Sequence, residues 1–257
     1  MTIASLEQKA ALIEGGKRLA AILSQVASRV APGVNTEELD DLAEKLIRDG
    51  GDLPAFLGYT PEGASRPYPA TLCVSVNDEI VHGIPNESSK KLEEGDIAGL
   101  DLGLTHAGVI VDAAVTVQVG AVSDESKRLI RATENALAAG IAAAKAGNHM
   151  GDISHAIQRE IEAAGFSVVK ELGGHGVGAR VHEEPFIANY GRTGTGPLLK
   201  EGMVLALEPI SSAGKGAVVL SPDGYTFRTK DGSRSAHFEH TILLEKDGAR
   251  IITRYQA

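Results

Sequence analysis

Two helical patterns recur in this chain at fixed distances, in the same order and each leading into strand-like sequence. That duplication limits the architectures open to it. Leu12, Leu19, Leu23, Val26 and Val30 follow one another at intervals of seven, four, three and four, one apolar stripe on a helix over about 5–30. Ile130, Leu137, Ile141 and Ala144 repeat the first three intervals 118 positions later. A second helix follows Ala31-Pro32-Gly33, with Asn35 as its cap and Glu38 reaching back. Leu39, Leu42, Leu46 and Ile47 form its buried face until Gly50-Gly51 ends it. Its counterpart lies 114 positions on, where Ile153, Ile157, Ile161 and Gly165 match Leu39, Ala43, Ile47 and Gly51, and Ala146-Gly147-Asn148 stands in place of Pro32-Gly33-Val34. Any two amphipathic helices share some of these intervals, but two in order, each followed by strands, favour a repeated helix-helix-strand unit.

The stretch over about 67–120 changes to strand period, including Leu72 to Val76 and a hairpin, and strand character returns from Val168 onward. There, Gly202 to Pro209, Gly216 to Leu220 and Phe238 to Leu244 read as strands, and Lys246-Asp247-Gly248 as a turn. Helices on one side of an antiparallel sheet make an α+β plan. No segment rich in Pro, Ser or charge reads as a linker, so one unit over 1–257 is expected.

The hairpin carries Asp101 and Asp112 within apolar sequence, on either side of a turn at Thr105-His106-Ala107-Gly108. Pairing about the centre of His106-Ala107 sets the two aspartates opposite each other. A one-residue bulge at Gly108 would instead bring Ala113 opposite Asp101. Directly opposed side chains have Cβ atoms about 4.5–5.5 Å apart, and like charges at that distance call for something positive between them.

Two further acids interrupt or border apolar runs: Glu208 in Leu205-Ala206-Leu207-Glu208-Pro209 and Glu239 in His237-Phe238-Glu239-His240-Thr241. A lone Glu in a strand is usually on the solvated face. Four acids in such settings point instead to bound cations, and two divalent ions would neutralise them. The glycine-rich run Gly173 to Gly178 places His175 without steric competition; it lacks the Lys-Ser or Lys-Thr ending of a nucleotide-binding loop. Carboxylates with one imidazole and no thiolate suit Mn²⁺, Fe²⁺, Co²⁺ or Zn²⁺. Two such ions about 3.5–4 Å apart can share a water, lower its pKa and polarise a carbonyl, which is the chemistry of amide or ester hydrolysis. His82 and His182 read as neutral hydrogen-bonding groups near the substrate. His106, His149 and His155 read as surface residues, and His237 and His240, which straddle Glu239, as candidates to steady the ligands.

Bulk properties remove other functions. The formal net charge is −9, with no stripe of Lys and Arg, so nucleic acid is not an expected substrate. Cys73 is the one cysteine, which excludes an internal disulfide and a cysteine zinc cluster and fits a reducing cytosol. No run approaches about 18 apolar residues, and charges interrupt the opening stretch, so neither a membrane span nor an export signal is expected.

Taken in order, Asn77-Asp78-Glu79-Ile80-Val81-His82-Gly83-Ile84-Pro85, Gly95-Asp96-Ile97 leading to Asp101 and Asp112, Gly174-His175-Gly176-Val177-Gly178 with His182-Glu183-Glu184-Pro185, Glu208-Pro209, and Ser235-Ala236-His237-Phe238-Glu239-His240-Thr241 resemble type I methionine aminopeptidases over nearly the whole chain. The resemblance implies a pita-bread fold with pseudo-twofold symmetry and two divalent metal ions. By the same resemblance Asp112 and Glu239 would bridge the metals, Asp101 would complete one shell, and His175 with Glu208 the other. Glu208 would also transfer a proton, His182 would steady the oxyanion, and His82 would contact the scissile amide. The methionine pocket would be shaped by Phe56, Tyr59, Tyr68, Cys73, Val181 and Tyr225. Val181 replaces a usual aromatic and Tyr225 a frequent tryptophan. The implied activity is cytoplasmic removal of the initiator methionine from nascent polypeptides, before a small second residue, by a monomer that could meet its substrate at the ribosome. The rivals are an aminopeptidase of the same fold with another first-residue or proline preference, and a non-catalytic peptide-binding relative.

Overall fold

Helices α1 (Leu6–Ala27), α2 (Thr36–Asp49), α3 (Asp124–Ala143) and α4 (Met150–Ala163) bear out the repeat in a computed structural model that describes residues 1–87 and 89–255. Positions 88, 256 and 257 of the expected single unit lie outside the described residues. From Leu6 to Asp124 is 118 positions and from Thr36 to Met150 is 114, the two offsets carried by the apolar spacing. Ser5 and Ser123 cap the leading helix of each half, accepting from the backbone N–H of Gln8 and Ser126. In each half the second helix opens with a backbone N–H donated to the acid three residues on, from Asn35 to Glu38 at 3.1 Å and from His149 to Asp152 at 2.7 Å. His149, expected on the surface, is thus half-buried at a helix start.

Among the described residues the main sheet has nine strands. Seven lie in the order Leu53–Pro54, Ile97–His106, Val109–Gln118, Glu239–Glu245, Val204–Leu207, Gly173–Gly176, Glu183–Ala188; Leu72–Val76 also pairs with Ile97–His106, and Gly248–Ile251 with Glu239–Glu245. Every registered pair is antiparallel. Two three-stranded sheets flank it, one of Ser235–His237, Ile210–Ser212 and Ser167–Val168, the other of Val218–Leu220, Phe227–Thr229 and Glu79–Val81.

The hairpin register differs from the expected one by two residues. Asp101 faces Ala114 and Asp112 faces Gly103, because the turn is centred on Ala107-Gly108 rather than His106-Ala107. Both loop residues have positive φ, 48° at Ala107 and 80° at Gly108, the pair of left-handed conformations that matches a two-residue turn to strand twist; glycine takes the second without cost. His106 therefore ends a strand, half-buried, with Nδ1 2.7 Å from Asp52 Oδ1, and is not a surface turn residue. A shift of two preserves the side of the sheet, whereas a shift of one would have reversed it. Asp101 and Asp112 remain diagonal neighbours on one face.

That face is opposite the helices. Leu100, Leu102, Leu104, Val111, Ala113 and Val115 enter the main core with Leu12, Leu19, Leu23, Ile153, Ile157 and Ile161. Their alternating neighbours, Asp101, Asp112 and Thr116, point the other way. The two halves meet where Val109–Gln118 pairs with Glu239–Glu245, directly only at Glu239 with Ala114 and His240 with Ala113. On either side a threonine replaces the ladder. Thr241 Oγ1 accepts from the Asp112 N–H at 2.9 Å and donates to its carbonyl at 2.8 Å, and Thr116 Oγ1 does the same for His237 at 2.9 and 2.8 Å.

Candidate active site

His175 sits on a strand that only glycines can flank. A Cβ at Gly173, Gly174 or Gly176 would come within 2.4, 2.3 or 2.4 Å of the carbonyl oxygens of Ile187, Ala206 and Glu184. Its Nδ1 lies 2.9 Å from the Gly176 carbonyl, which can only accept, so Nδ1 carries the proton and Nε2 presents a lone pair. Glu208 leaves the end of Val204–Leu207, its backbone carbonyl held by Asn189 Nδ2 at 2.9 Å. Glu239 opens its strand at the seam beside Ala114. His82 adopts a left-handed φ of 60°, unusual for a non-glycine residue and here enforced by its neighbour. Gly83 is pressed against the Val74 carbonyl and accepts from both Val74 N and the Tyr68 hydroxyl at 2.9 Å.

Asp112, His175 and Glu239 each offer a ligating atom, all within 4.8 Å of one another, and all three are buried. Asp101 and Glu208 border the group, Glu208 Oε1 lying 3.6 Å from His175 Nε2. Burial pushes the Asp101 carboxyl up to about 7, His237 drawing it back and Glu208 adding repulsion. Burial, then the charges of Asp101 and Glu208, hold Asp112 well above the usual carboxylate range; burial and then Asp112 do the same to Glu239. Glu208 goes the other way: burial opposes its ionisation, but His237, His175 and His182 together outweigh it. Asp101 Oδ1, Asp112 Oδ1 and Glu239 Oε1 are buried and have no hydrogen-bond partner among the described residues. Orphaned oxygens converging beside an imidazole lone pair fit a divalent first-row cation, which would compensate both the repulsion and the missing partners.

Phe56, Tyr59, Tyr68, Cys73, His82, Asp101, Asp112, His175, Val181, His182, Glu208, Tyr225 and Glu239 all line one cavity, together with Pro61. Cys73 is the cross-strand partner of Asp101. Phe56, Tyr68, Cys73, Val181 and Tyr225 form an apolar cluster of their own with Ala70 and Ile84, separate from the main core. The rings of Tyr68 and Tyr225 meet edge to face at 5.1 Å, and the Tyr225 hydroxyl donates to the Arg66 carbonyl. His182 stacks edge-on against His175 at 4.6 Å and accepts or donates at Nδ1 with the Tyr59 hydroxyl at 3.2 Å. Burial lowers His82 to about 4. Burial, then His175 and His82, lower His182 to about 4 as well, although its residue is exposed at the mouth.

Of the two histidines astride Glu239, one joins the site. His237 Nε2 lies 3.3 Å from Glu208 Oε2 and 4.0 Å from Glu239 Oε2, whereas His240 points across the strand to Thr253 Oγ1 at 3.1 Å. Alternation was the available signal: residues 237 and 239 share a face and 240 does not. His155 is exposed, as expected. Asn189, Pro61, Thr116 and Thr241 carried no local pattern that marks them.

The profile of metallopeptidase family M24 matches residues 10–246. Methionine aminopeptidase 1 of Bacillus subtilis (strain 168) is 44% identical over 241 residues, covering 94% of each chain. Methionine aminopeptidase 1 of Mycobacterium tuberculosis is 43% identical over 249 residues, 95% of this chain and 91% of the other. The crystal structure of methionine aminopeptidase from Thermotoga maritima superposes with a TM-score of 0.93 at 41% identity, over 99% of this chain and 100% of that one. A prolidase from Pyrococcus furiosus shares the fold, with a TM-score of 0.74 at 21% identity, but this chain covers only 66% of it.

Proposed function

The chain belongs to metallopeptidase family M24, and from that footing we propose that it removes the amino-terminal methionine of polypeptides by metal-dependent hydrolysis, with preference for a small second residue. One observation carries the reading: a buried group of Asp112, His175 and Glu239, with ligating atoms within 4.8 Å, at the base of a cavity walled by Phe56, Tyr68, Val181 and Tyr225. Asp101, Asp112, His175, Glu208 and Glu239 would hold two divalent ions, whose four positive charges match four carboxylates; bound there, they would acidify a water and polarise the scissile carbonyl.

The remaining roles fall to this chain's own side chains. The apolar cluster receives the methionine side chain and excludes water from it. Neutral His82 offers a hydrogen bond to the scissile amide without upsetting the balance between ions and carboxylates, and His182, steadied by Tyr59, does so to the carbonyl oxygen. Glu208, kept ionised, can take a proton from the attacking water and return it to the departing amine. The free amino terminus lies toward Asp101, which limits removal to one residue. The substrate is then the start of a newly made chain, met in the cytoplasm by a monomeric enzyme.

Metal-free protein, reloaded separately with Mn²⁺, Fe²⁺, Co²⁺ and Zn²⁺, is expected to release methionine from Met-Ala-Ser and far less from Met-Leu-Ser. Release of no amino acid under any of the four ions would remove the catalytic reading and leave a peptide-binding protein. Release from a Leu-Ala-Ser peptide at an equal rate would keep the hydrolysis and remove the methionine preference.

A further inference from the structure

Resting on that reading of the site, we infer that His237 is a positioning residue: its Nε2–H anchors one oxygen of the Glu208 carboxylate and leaves the other free to face the ligand group. His237 is buried at the end of Ser235–His237, with its backbone N–H and carbonyl both bound to the Thr116 hydroxyl, so its ring leaves a fixed base. Nε2 is buried and without a hydrogen-bond partner among the described residues. Its nearest acceptor is Glu208 Oε2 at 3.3 Å, a distance within reach but not yet aligned, as is common where a catalytic hydrogen bond tightens only in the working complex.

The two oxygens of Glu208 face two different imidazoles. Oε1 lies 3.6 Å from Nε2 of His175, and Oε2 lies 3.3 Å from Nε2 of His237. His175 spends its Nδ1 proton on the Gly176 carbonyl, so in the neutral ring its Nε2 is a lone pair and cannot donate to Glu208. A donor is therefore supplied from the His237 side. Asn189 fixes the Glu208 backbone carbonyl at 2.9 Å but does not reach the carboxylate through that bond. His237 also stands outside the triad of Asp112, His175 and Glu239 whose ligating atoms gather within 4.8 Å, and it is closer to Glu208 than to Glu239. This geometry is that of a group that orients a ligand, not of one more ligand.

Chain length separates the possibilities. A Gln side chain brings its amide nitrogen about as far as His Nε2, whereas Asn reaches only about as far as Nδ1. In Co²⁺-loaded enzyme, His237→Asn and His237→Leu are expected to lower kcat on Met-Ala-Ser by about 10–100-fold with KM within about threefold, and His237→Gln to stay within about threefold of wild type. Independently of turnover, calorimetric titration of Co²⁺ into metal-stripped protein should show the Asn and Leu variants binding about tenfold more weakly, with an altered visible Co²⁺ spectrum, and the Gln variant near wild type. In a Glu208→Ala background the His237 substitutions should add no further loss of affinity. Equal behaviour of the folded Gln and Asn variants, or a loss that persists without Glu208, overturns the assignment. If wild-type protein hydrolyses nothing, the proposed function fails, while the Co²⁺ titrations still decide the role of His237.

Discussion

The two halves of the molecule share a helical frame and differ in the sheet that frame supports. In the first half, Asp101 and Asp112 come from one regular hairpin of two ten-residue strands with an unbroken register. In the second, His175, Glu208 and Glu239 come from three separate places, one on a four-residue glycine strand whose register shifts, one just past a strand and one at a strand's first residue. Regular pairing suffices to present two short acids on one face. Bringing two longer acids and an imidazole to the same site takes interrupted strands and close backbone contact. The helices could be repeated nearly unchanged because they only cover the core, while the sheet around the site diverged.

The most severe way to break this comparison is at the seam. Asp112→Asn and Glu239→Gln, one from each half, are each expected to lower methionine release by at least about a hundredfold while circular dichroism and melting stay near wild type. A large loss in only one of them would show that one half carries the metal chemistry alone. Next come the leading helices. A Cβ at Gly16 of α1 would meet the backbone of Ile252, with its carbonyl oxygen at 2.5 Å, whereas one at Gly140 of α3 meets side chains alone, Ile157 at 2.9 and 3.0 Å and Ile153 at 3.6 Å. Backbone cannot yield as a side chain can, so Gly16→Ala is expected to cost about 2–3 kcal/mol in urea unfolding. Gly140→Ala should fall within about 1 kcal/mol of wild type, since the helix propensity gained offsets the crowding.

A third contrast lies 114 positions apart on the second helices, between Asp40 and Ser154, both buried. Asp40 Oδ1 accepts from the N–H groups of Thr71 and Leu72 at 2.9 and 2.8 Å, and burial still pushes its carboxyl up to about 6 against those bonds. A raised acid stabilises the fold below its unfolded value of 3.8 and loses that contribution as pH rises through about 6. Asp40→Asn, which keeps an acceptor for both N–H groups, should therefore gain about 1–3 kcal/mol relative to wild type between pH 4 and pH 8, read by urea melts at each pH. A flat difference would mean that Asp40 ionises without penalty. Smallest is the pocket: Val181→Phe is expected to change the preference for methionine over other first residues only severalfold on a peptide panel.

What was legible in the chain followed from local physics. Helix starts and caps came from apolar spacing and from Asn35 with Glu38, and the four acids stood out because each broke into or bordered an apolar strand. The hairpin register failed by two because apolar alternation fixes only the face, while the turn centre depends on which two residues accept positive φ. His240 was grouped with His237 by proximity in sequence, although strand alternation separates them. Phe56, Tyr59, Tyr68 and Tyr225 were placed by family resemblance, since nothing periodic joins an aromatic near residue 60 to one at 225. Asn189, Thr116 and Thr241 act across 19, 121 and 129 positions, and no local pattern encodes contacts that distant.

In a regular antiparallel ladder any residue but proline brings its own peptide N–H and carbonyl and so contributes its rung. Beside Asp112 and His237 the rungs are two particular alcohols. Drift at positions 116 and 241 can thus loosen the seam between the two halves while the apolar core they share stays whole, an exposure to mutation that peptide-only pairing does not have.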